Sequence, residues 1–192
     1  MSILDDHTAA LQRTLARLGP LDAPLGAAAQ AVAASFRGGG QLLAAGNGGS
    51  AAEAQHMTAE LVGRLHPSRE RRALPAVALH ADTSTLTAVG NDYGYDQIFA
   101  RQVEAIGRPG DVLVVLSTSG ASRNLVAAVD AATALDMVTI GLLGGGTRPL
   151  HERCTHVLAV PDDEIATIQE CHLVLVHVLV EAVEDALTAA GA

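Results

Sequence analysis

The 192-residue chain contains no lysine, so all twelve of its basic residues are arginine. That excludes Schiff-base chemistry, pyridoxal phosphate held as an internal aldimine, and a P-loop lysine. Any phosphate must be held by main-chain N–H groups, hydroxyls or Arg. Aromatic residues number only four, Phe36, Tyr93, Tyr95 and Phe99, and the formal net charge is −9. A nucleic-acid surface needs a basic patch and often stacking rings, so no nucleic acid is expected as a partner. The only two cysteines, Cys154 and Cys171, form no CxxC pair; buried thiols are expected rather than a zinc ribbon or redox motif. No run reaches the roughly 18 apolar residues of a membrane span, and no membrane association is expected. The opening segment, MSILDDHTAALQRTLARL, has neither a basic n-region nor an apolar h-region. It does not resemble a signal peptide, and the expected compartment is the cytoplasm.

Apolar residues make up 49% of the chain and charged residues 17%, with Gly, Pro and polar turns breaking the apolar runs. One domain covering residues 1–192 is expected. Residues 1–18 and 21–37 read as two helices separated by Gly19-Pro20. The period then changes to short apolar runs at 41–46, 76–80, 111–117, 137–143 and 156–160, which read as buried parallel strands. Helical stretches fit 50–65, 95–107, 122–135 and a last long one from about 163 to 189. The fold class is α/β: a central parallel sheet of about five strands flanked by helices, with N-terminal helices and a long C-terminal helix.

Ligands of such sheets sit beyond the carboxyl ends of the strands. Two loops there share a chemistry, GNGGS (46–50) after the first strand and STSGAS (117–122) after the third. Small residues let the main chain approach an anion, hydroxyls donate to it, and the following helix offers free N–H groups and its positive dipole end. Either loop alone reads as a tight turn or helix cap; two at equivalent strand ends in a lysine-free chain point to a phosphate. A dinucleotide is not expected, because the chain carries HPSRERR where the ribose-binding acid would stand.

His56 and Glu60 are four residues apart on the helix after the first loop, a spacing that suits either a metal ion or a surface ion pair. The C-terminal helix adds Gln169, His172 and His177 within a Leu/Val run. A polar group on an apolar face carries a desolvation cost unless paired or bound. Gln169 and His177 lie roughly 80° and 12 Å apart on a helix. Spacing does not choose between His172 and His177, and either suits a hydrogen-bonded core histidine.

The combination GNGGSxxxAxH…xELxGR, GNDxGxxxIFxRxVEAxGxxGD, STSGxSxN and IQExHxxxxH resembles the phosphoheptose (sedoheptulose 7-phosphate) isomerases of the sugar-isomerase (SIS) domain proteins, from about Leu11 to Leu187. The resemblance implies a flavodoxin-like SIS domain, a homotetramer with active sites at subunit interfaces, and one zinc ion per subunit. It implies His56, Glu60, Gln169 and His177 as metal ligands, with Glu60 and His177 as the catalytic pair. It implies substrate contacts from Asn47, Gly48, Gly49, Ser50, Glu60, Arg64, Asn91, Asp92, Ser117, Thr118, Ser119, Ser122 and Gln169. The implied reaction converts a phosphorylated seven-carbon ketose to its aldose, the first step toward nucleotide-activated heptose. Non-catalytic SIS modules, which bind a phosphosugar or a replication initiator, are the alternative; they lose the acid after the His and the last His, both present here. One departure is Ala166-Thr167, where many members carry Asp-Arg.

Overall fold

The computed structural model describes residues 2–189. Ser2 opens the first helix with a capping box: its hydroxyl accepts from the Asp5 N–H at 3.1 Å and its own N–H donates to the Asp5 carboxylate at 2.9 Å. Helices α1 (Ile3–Leu15) and α2 (Asp22–Arg37) are joined through a short 3-10 turn at Gly19–Leu21. Five strands follow, β1 (Leu42–Gly46), β2 (Ala76–Ala78), β3 (Val112–Ser117), β4 (Val138–Leu143) and β5 (His156–Ala159). They form one sheet in the order β2-β1-β3-β4-β5, with every pairing parallel. This is the flavodoxin-like order, in which the chain reverses direction across the sheet between β1 and β3.

The period-2 alternation of each strand builds two cores. Leu42, Ala44, Val112, Val114 and Leu116 face a layer made by α2, α3 (Gly49–Val62) and α8 (Ile165–Ala189). Leu43, Ala45, Leu113 and Val115 face the opposite layer, chiefly α5 (Ala100–Ile106) and α6 (Arg123–Ala134). The central strands β1 and β3 are buried at every residue, which is why they read as unbroken apolar runs.

All five expected strands are present, with β2 shorter than expected because it is an edge strand. The stretch expected as one helix at 95–107 is instead a 3-10 turn at Tyr95–Gln97 followed by α5. Two helices lie outside the expectations, α4 (Thr83–Tyr93) and the five-residue α7 (Pro149–Arg153). α4 is built from Thr, Ser, Gly and Asn, poor helix formers, and is started by Asp82, whose carboxylate accepts from the Thr85 N–H at 3.1 Å.

By length and composition alone, Ile165–Thr188 would suffice to cross a membrane. In the fold it is a core helix. Cys171, Leu175, Val176, Leu179, Val180 and Val183 are buried against the sheet and α2. Cys171 is therefore the buried thiol expected, and Cys154 is half-buried; burial pushes the two up to about 11 and 12, so both are unreactive at neutral pH.

Candidate active site

The loops after β1 and β3 flank the point where strand order reverses. Gly48, at φ 57°, takes a backbone conformation that side chains disfavour, and it turns the chain into the N-terminus of α3. Ser50 is buried in the first turn of that helix. In the second loop the Ser117 hydroxyl lies 3.4 Å from those of both Ser119 and Ser122, and it accepts from the Gly120 N–H at 3.1 Å. Thr118 and Ser119 border a cavity of about 360 Å³ that Arg148 and Asp163 also line. Three clustered hydroxyls, a free helix N-terminus at α6 and a guanidinium suit an anion.

The two loops are tied together by an amide pair. Asn47 Nδ2 donates to Asn124 Oδ1 at 3.0 Å, and Asn124 Nδ2 donates back to Asn47 Oδ1 at 2.8 Å. The Tyr95 hydroxyl donates to the same Asn47 oxygen at 3.0 Å. Asn47 and Gly48 also line a cavity of about 380 Å³ with His80, Thr87 and Tyr95. Burial holds the His80 imidazole below its ordinary value, a neutral ring beside that cavity.

The polar residues of α3 and α8 meet along the line where the helices touch. Gln169 lies against Gly49, where a Cβ would stand 2.4 Å from its Nε2; only glycine permits that approach. His56 Nε2 lies 2.9 Å from His177 Nε2, the rings tilted by 58°, and 3.4 Å from Glu60 Oε1. Between these two contacts sits His172, fully buried, with Nδ1 3.8 Å from Glu53 Oε2. His172 and His177, equivalent by spacing, thus separate: His177 faces His56, and His172 faces the core. Past the end of α3, Arg71 donates to the carbonyls of Glu60 and Leu61 at 2.7 and 2.9 Å and to Glu184 of α8 at 2.7 Å. One guanidinium thereby fastens the turn carrying Glu60 to α8.

Nε2 atoms facing at 2.9 Å suit a hydrogen bond from one ring to the other or a cation held between them. Ligands about 2.05 Å from a tetrahedral zinc stand about 3.3 Å apart; the His56–Glu60 spacing of 3.4 Å matches that, and the His56–His177 spacing of 2.9 Å is tighter. Among the described residues no group of three or more His, Cys, Asp or Glu is arranged to hold a metal ion. The donor types nonetheless fit zinc, with Gln169 as a fourth, amide donor.

The remaining sequence-derived candidates lie elsewhere. Arg64 is exposed and paired with Glu70, and Asn91 donates to Asp92 at 2.8 Å on the exposed end of α4. Neither contact reaches the His56–Glu60–His177 cluster. A larger cavity, about 860 Å³, lies toward the far end of α8; of its four guanidiniums, Arg71 is paired with Glu184 and Arg69 with Asp185, each at 2.7 Å, and Arg37 and Arg72 donate to main-chain carbonyls. Asn124, Tyr95, Arg71 and Glu53 are not among the residues the sequence points to, although Asn124 ends the STSGxSxN motif.

Residues 6–144 match the SIS domain family. The chain is 49% identical to the phosphoheptose isomerase of Rhodospirillum rubrum over 188 residues, covering 96% of this chain and 99% of that one. It belongs to the phosphoheptose isomerase family. A Streptomyces coelicolor member is 55% identical over 156 residues, covering 81% of this chain and 67% of its own length. Among solved structures, the Francisella tularensis phosphoheptose isomerase superposes with a TM-score of 0.89 at 39% identity, covering 96% of this chain and all of that one. The Neisseria gonorrhoeae enzyme gives 0.88 at 41% identity, covering 95% and 97%. Membership of the phosphoheptose isomerase family therefore extends over nearly the whole chain, including both loops, α3 and α8.

Proposed function

We propose that this chain is an aldose–ketose isomerase converting D-sedoheptulose 7-phosphate to D-glycero-D-manno-heptose 7-phosphate, the first step toward nucleotide-activated heptose. The observation that carries the reading is the meeting of His56, Glu60 and His177 beside two hydroxyl- and glycine-rich loops. The non-catalytic SIS alternative offers no reason for those three side chains to converge.

Interconverting ketose and aldose moves a proton between C1 and C2 through an enediol, so the site needs a base, an acid and support for charge developing on oxygen. Glu60 and His177 are the proton carriers, set on adjacent helices so that one can take the proton at one carbon while the other serves the neighbouring oxygen. Ser117, Thr118, Ser119 and Ser122, with Ser50 and the N-termini of α3 and α6, hold the phosphate remote from the reacting carbons. Asn47, Gly48, Gly49 and Gln169 border the intervening space. Arg64, from the segment after α3, and Asn91 and Asp92, from the end of α4, contribute to the sugar site by shifting toward it or from a neighbouring subunit.

We assign one zinc per subunit to His56, Glu60, Gln169 and His177. When bound, it polarises the sugar carbonyl and supports charge on oxygen. The assembly we propose is a cytoplasmic homotetramer with active sites at subunit interfaces. Its support is the outward side of α8, where Leu173, Val174 and Val178 are 37–43% exposed beside half-buried His177. Incubation with sedoheptulose 7-phosphate, followed by NMR, tests the reaction; no aldose product with zinc-loaded protein overturns it.

A further inference from the structure

The contacts between α3 and α8 form a ladder with parallel order: Gly49 against Gln169, Glu53 against His172, His56 against His177. The outer rungs carry the residues assigned to zinc and proton transfer. The middle rung does not reach the substrate loops and has no part in the chemistry above. Yet it is the most deeply buried of the three, with His172 at 0% exposure and the Glu53 side chain at 13%.

Glu53 Oε2 and both ring nitrogens of His172 lack any hydrogen-bond partner of acceptable geometry. Leaving such groups in the core costs stability that a Leu and a Phe would not. A buried polar pair can instead fix the register of two elements. We propose that Glu53 and His172 are positioning residues for the isomerisation: a buried polar clamp, its nearest atoms 3.8 Å apart, that sets the register of α3 against α8 and so the spacing of His56 and Glu60 from Gln169 and His177.

Two further observations support the clamp. Glu53 is one turn before His56, and His172 is one turn after Gln169, so the pair sits midway between the two rungs it would align. The neighbouring rungs have little strength of their own: Gly49 offers no side chain, and His56 is exposed. The Leu143 main chain lies beside His172, and His80 lies beside Ala51 of α3. Strands β1 to β4 carry no ionisable side chain. On α2 only Asp22 and Arg37 ionise, at its two ends. On α1, His7 is taken by Glu170 at 2.7 Å, and Asp5, Asp6 and Arg13 complete the set. On α3 the others are His56 and Glu60; on α8 they are Glu170, Cys171, His177, Glu181, Glu184 and Asp185. Burial pushes the Glu53 carboxyl up to about 7 and the His172 imidazole down to about 4, the Leu143 main chain offsetting a little of the latter.

The inference rests on the isomerase reading, and its test separates the two. Turnover, KM for sedoheptulose 7-phosphate, and zinc affinity by competition with a chromophoric chelator are measured for wild type, Glu53→Ala, Glu53→Gln, and the double variant Glu53→Leu with His172→Phe. Glu53→Ala is expected to lose about tenfold or more in kcat and in zinc affinity, the scale for groups that orient ligands. KM should move less than about twofold, because the phosphate loops are untouched. Glu53→Gln keeps a neutral donor for the imidazole and should return to within about threefold of wild type. The apolar double variant should melt at or above the wild-type temperature yet show the same losses. It therefore decides the matter even if Glu53→Ala does not fold. Wild-type kcat and zinc affinity in the double variant overturn the clamp, as does a Glu53→Gln protein no better than Glu53→Ala. Wild-type protein that takes up no zinc while the kcat pattern holds overturns the zinc assignment and leaves the clamp standing. Wild-type protein with no isomerase activity overturns the functional reading, and zinc affinity across the same variants then decides the clamp.

Discussion

Asn47 and Asn124, 77 residues apart in the chain, exchange two side-chain hydrogen bonds of 3.0 and 2.8 Å and so join the loops after β1 and β3 across the reversal of strand order. Both loops are rich in Gly and Ser. Their relative placement is set by this amide pair, which in turn is held by the Leu125 N–H donating to Asn124 Oδ1 at 2.9 Å. Replacing Asn124 by Leu leaves the buried Asn47 amide half-satisfied, at a cost of about 1–3 kcal/mol. Steady-state kinetics should show KM for the phosphorylated sugar rising several-fold with a smaller fall in kcat. An unchanged KM would mean that the loops hold their places without the pair.

Glu60→Gln and His177→Ala should each reduce turnover by at least about a hundredfold, the usual scale for removing a general acid or base. Circular dichroism and melting should remain close to wild type, because Glu60 and His177 are only half-buried. Wild-type rates in either variant would remove that residue from the proton-transfer pair.

The strands were readable in the sequence because a parallel strand buried on both faces is an apolar run bounded by turns. The i,i+4 pair His56 and Glu60 was readable for a similar reason, since helical geometry alone places both on one face. The amide pair Asn47–Asn124 and the buried pair Glu53–His172 join distant elements, and no local period announces them. His172 and His177 looked alike because both interrupt the same Leu/Val run. What separates them is the neighbouring helix: α3 presents Glu53 to one and His56 to the other. α4 escaped notice because its Thr, Ser and Gly residues are poor helix formers; Asp82 was its one local signal.

Gly49→Ala should leave the fold intact and still impair the enzyme. The added Cβ would stand 2.4 Å from Gln169 Nε2, and the end of that side chain is free to swing aside. The swing removes Gln169 from its rung, so zinc affinity should fall by about tenfold or more, the scale for a lost or misplaced ligand contact. Chelator competition reads this directly. Undiminished affinity would show that Gln169 does not ligate.

Phosphate recognition should depend on the second loop, so that Ser119→Ala or Ser122→Ala raises KM more than it lowers kcat. A phosphate remote from C1 and C2 is bound alike in ground and transition states, and such uniform binding is expressed in KM. With no lysine available, each hydroxyl carries a larger share of the anion's hydrogen bonds, about 1–3 kcal/mol apiece. Sedoheptulose without its phosphate should be a far poorer substrate. Equal rates for the two sugars would show that these loops do not serve a phosphate.

The buried pair should be silent to pH when intact and reveal itself when one partner is removed. Burial raises Glu53 from 4.5 to about 7 and lowers His172 from 6.5 to about 4. Between about pH 4.5 and 6.5 the unfolded chain carries one proton on the pair, on the imidazole. The folded chain also carries one, on the carboxyl. Equal proton counts mean no contribution to the pH dependence of stability. In His172→Phe only Glu53 remains, with a folded value above its unfolded one. The folded state then holds the extra proton, so stability is fullest below pH 4.5 and is lost as pH rises toward 7. In Glu53→Gln only His172 remains, with its folded value depressed. The unfolded state then holds the extra proton, so stability is least at about pH 4 and is gained as pH rises to 6.5. Urea unfolding from pH 4.5 to 6.5 should therefore give difference curves against wild type of opposite slope, each at most about 1.4 kcal/mol per pH unit. Curves parallel to wild type in both variants would show that burial does not shift these two groups.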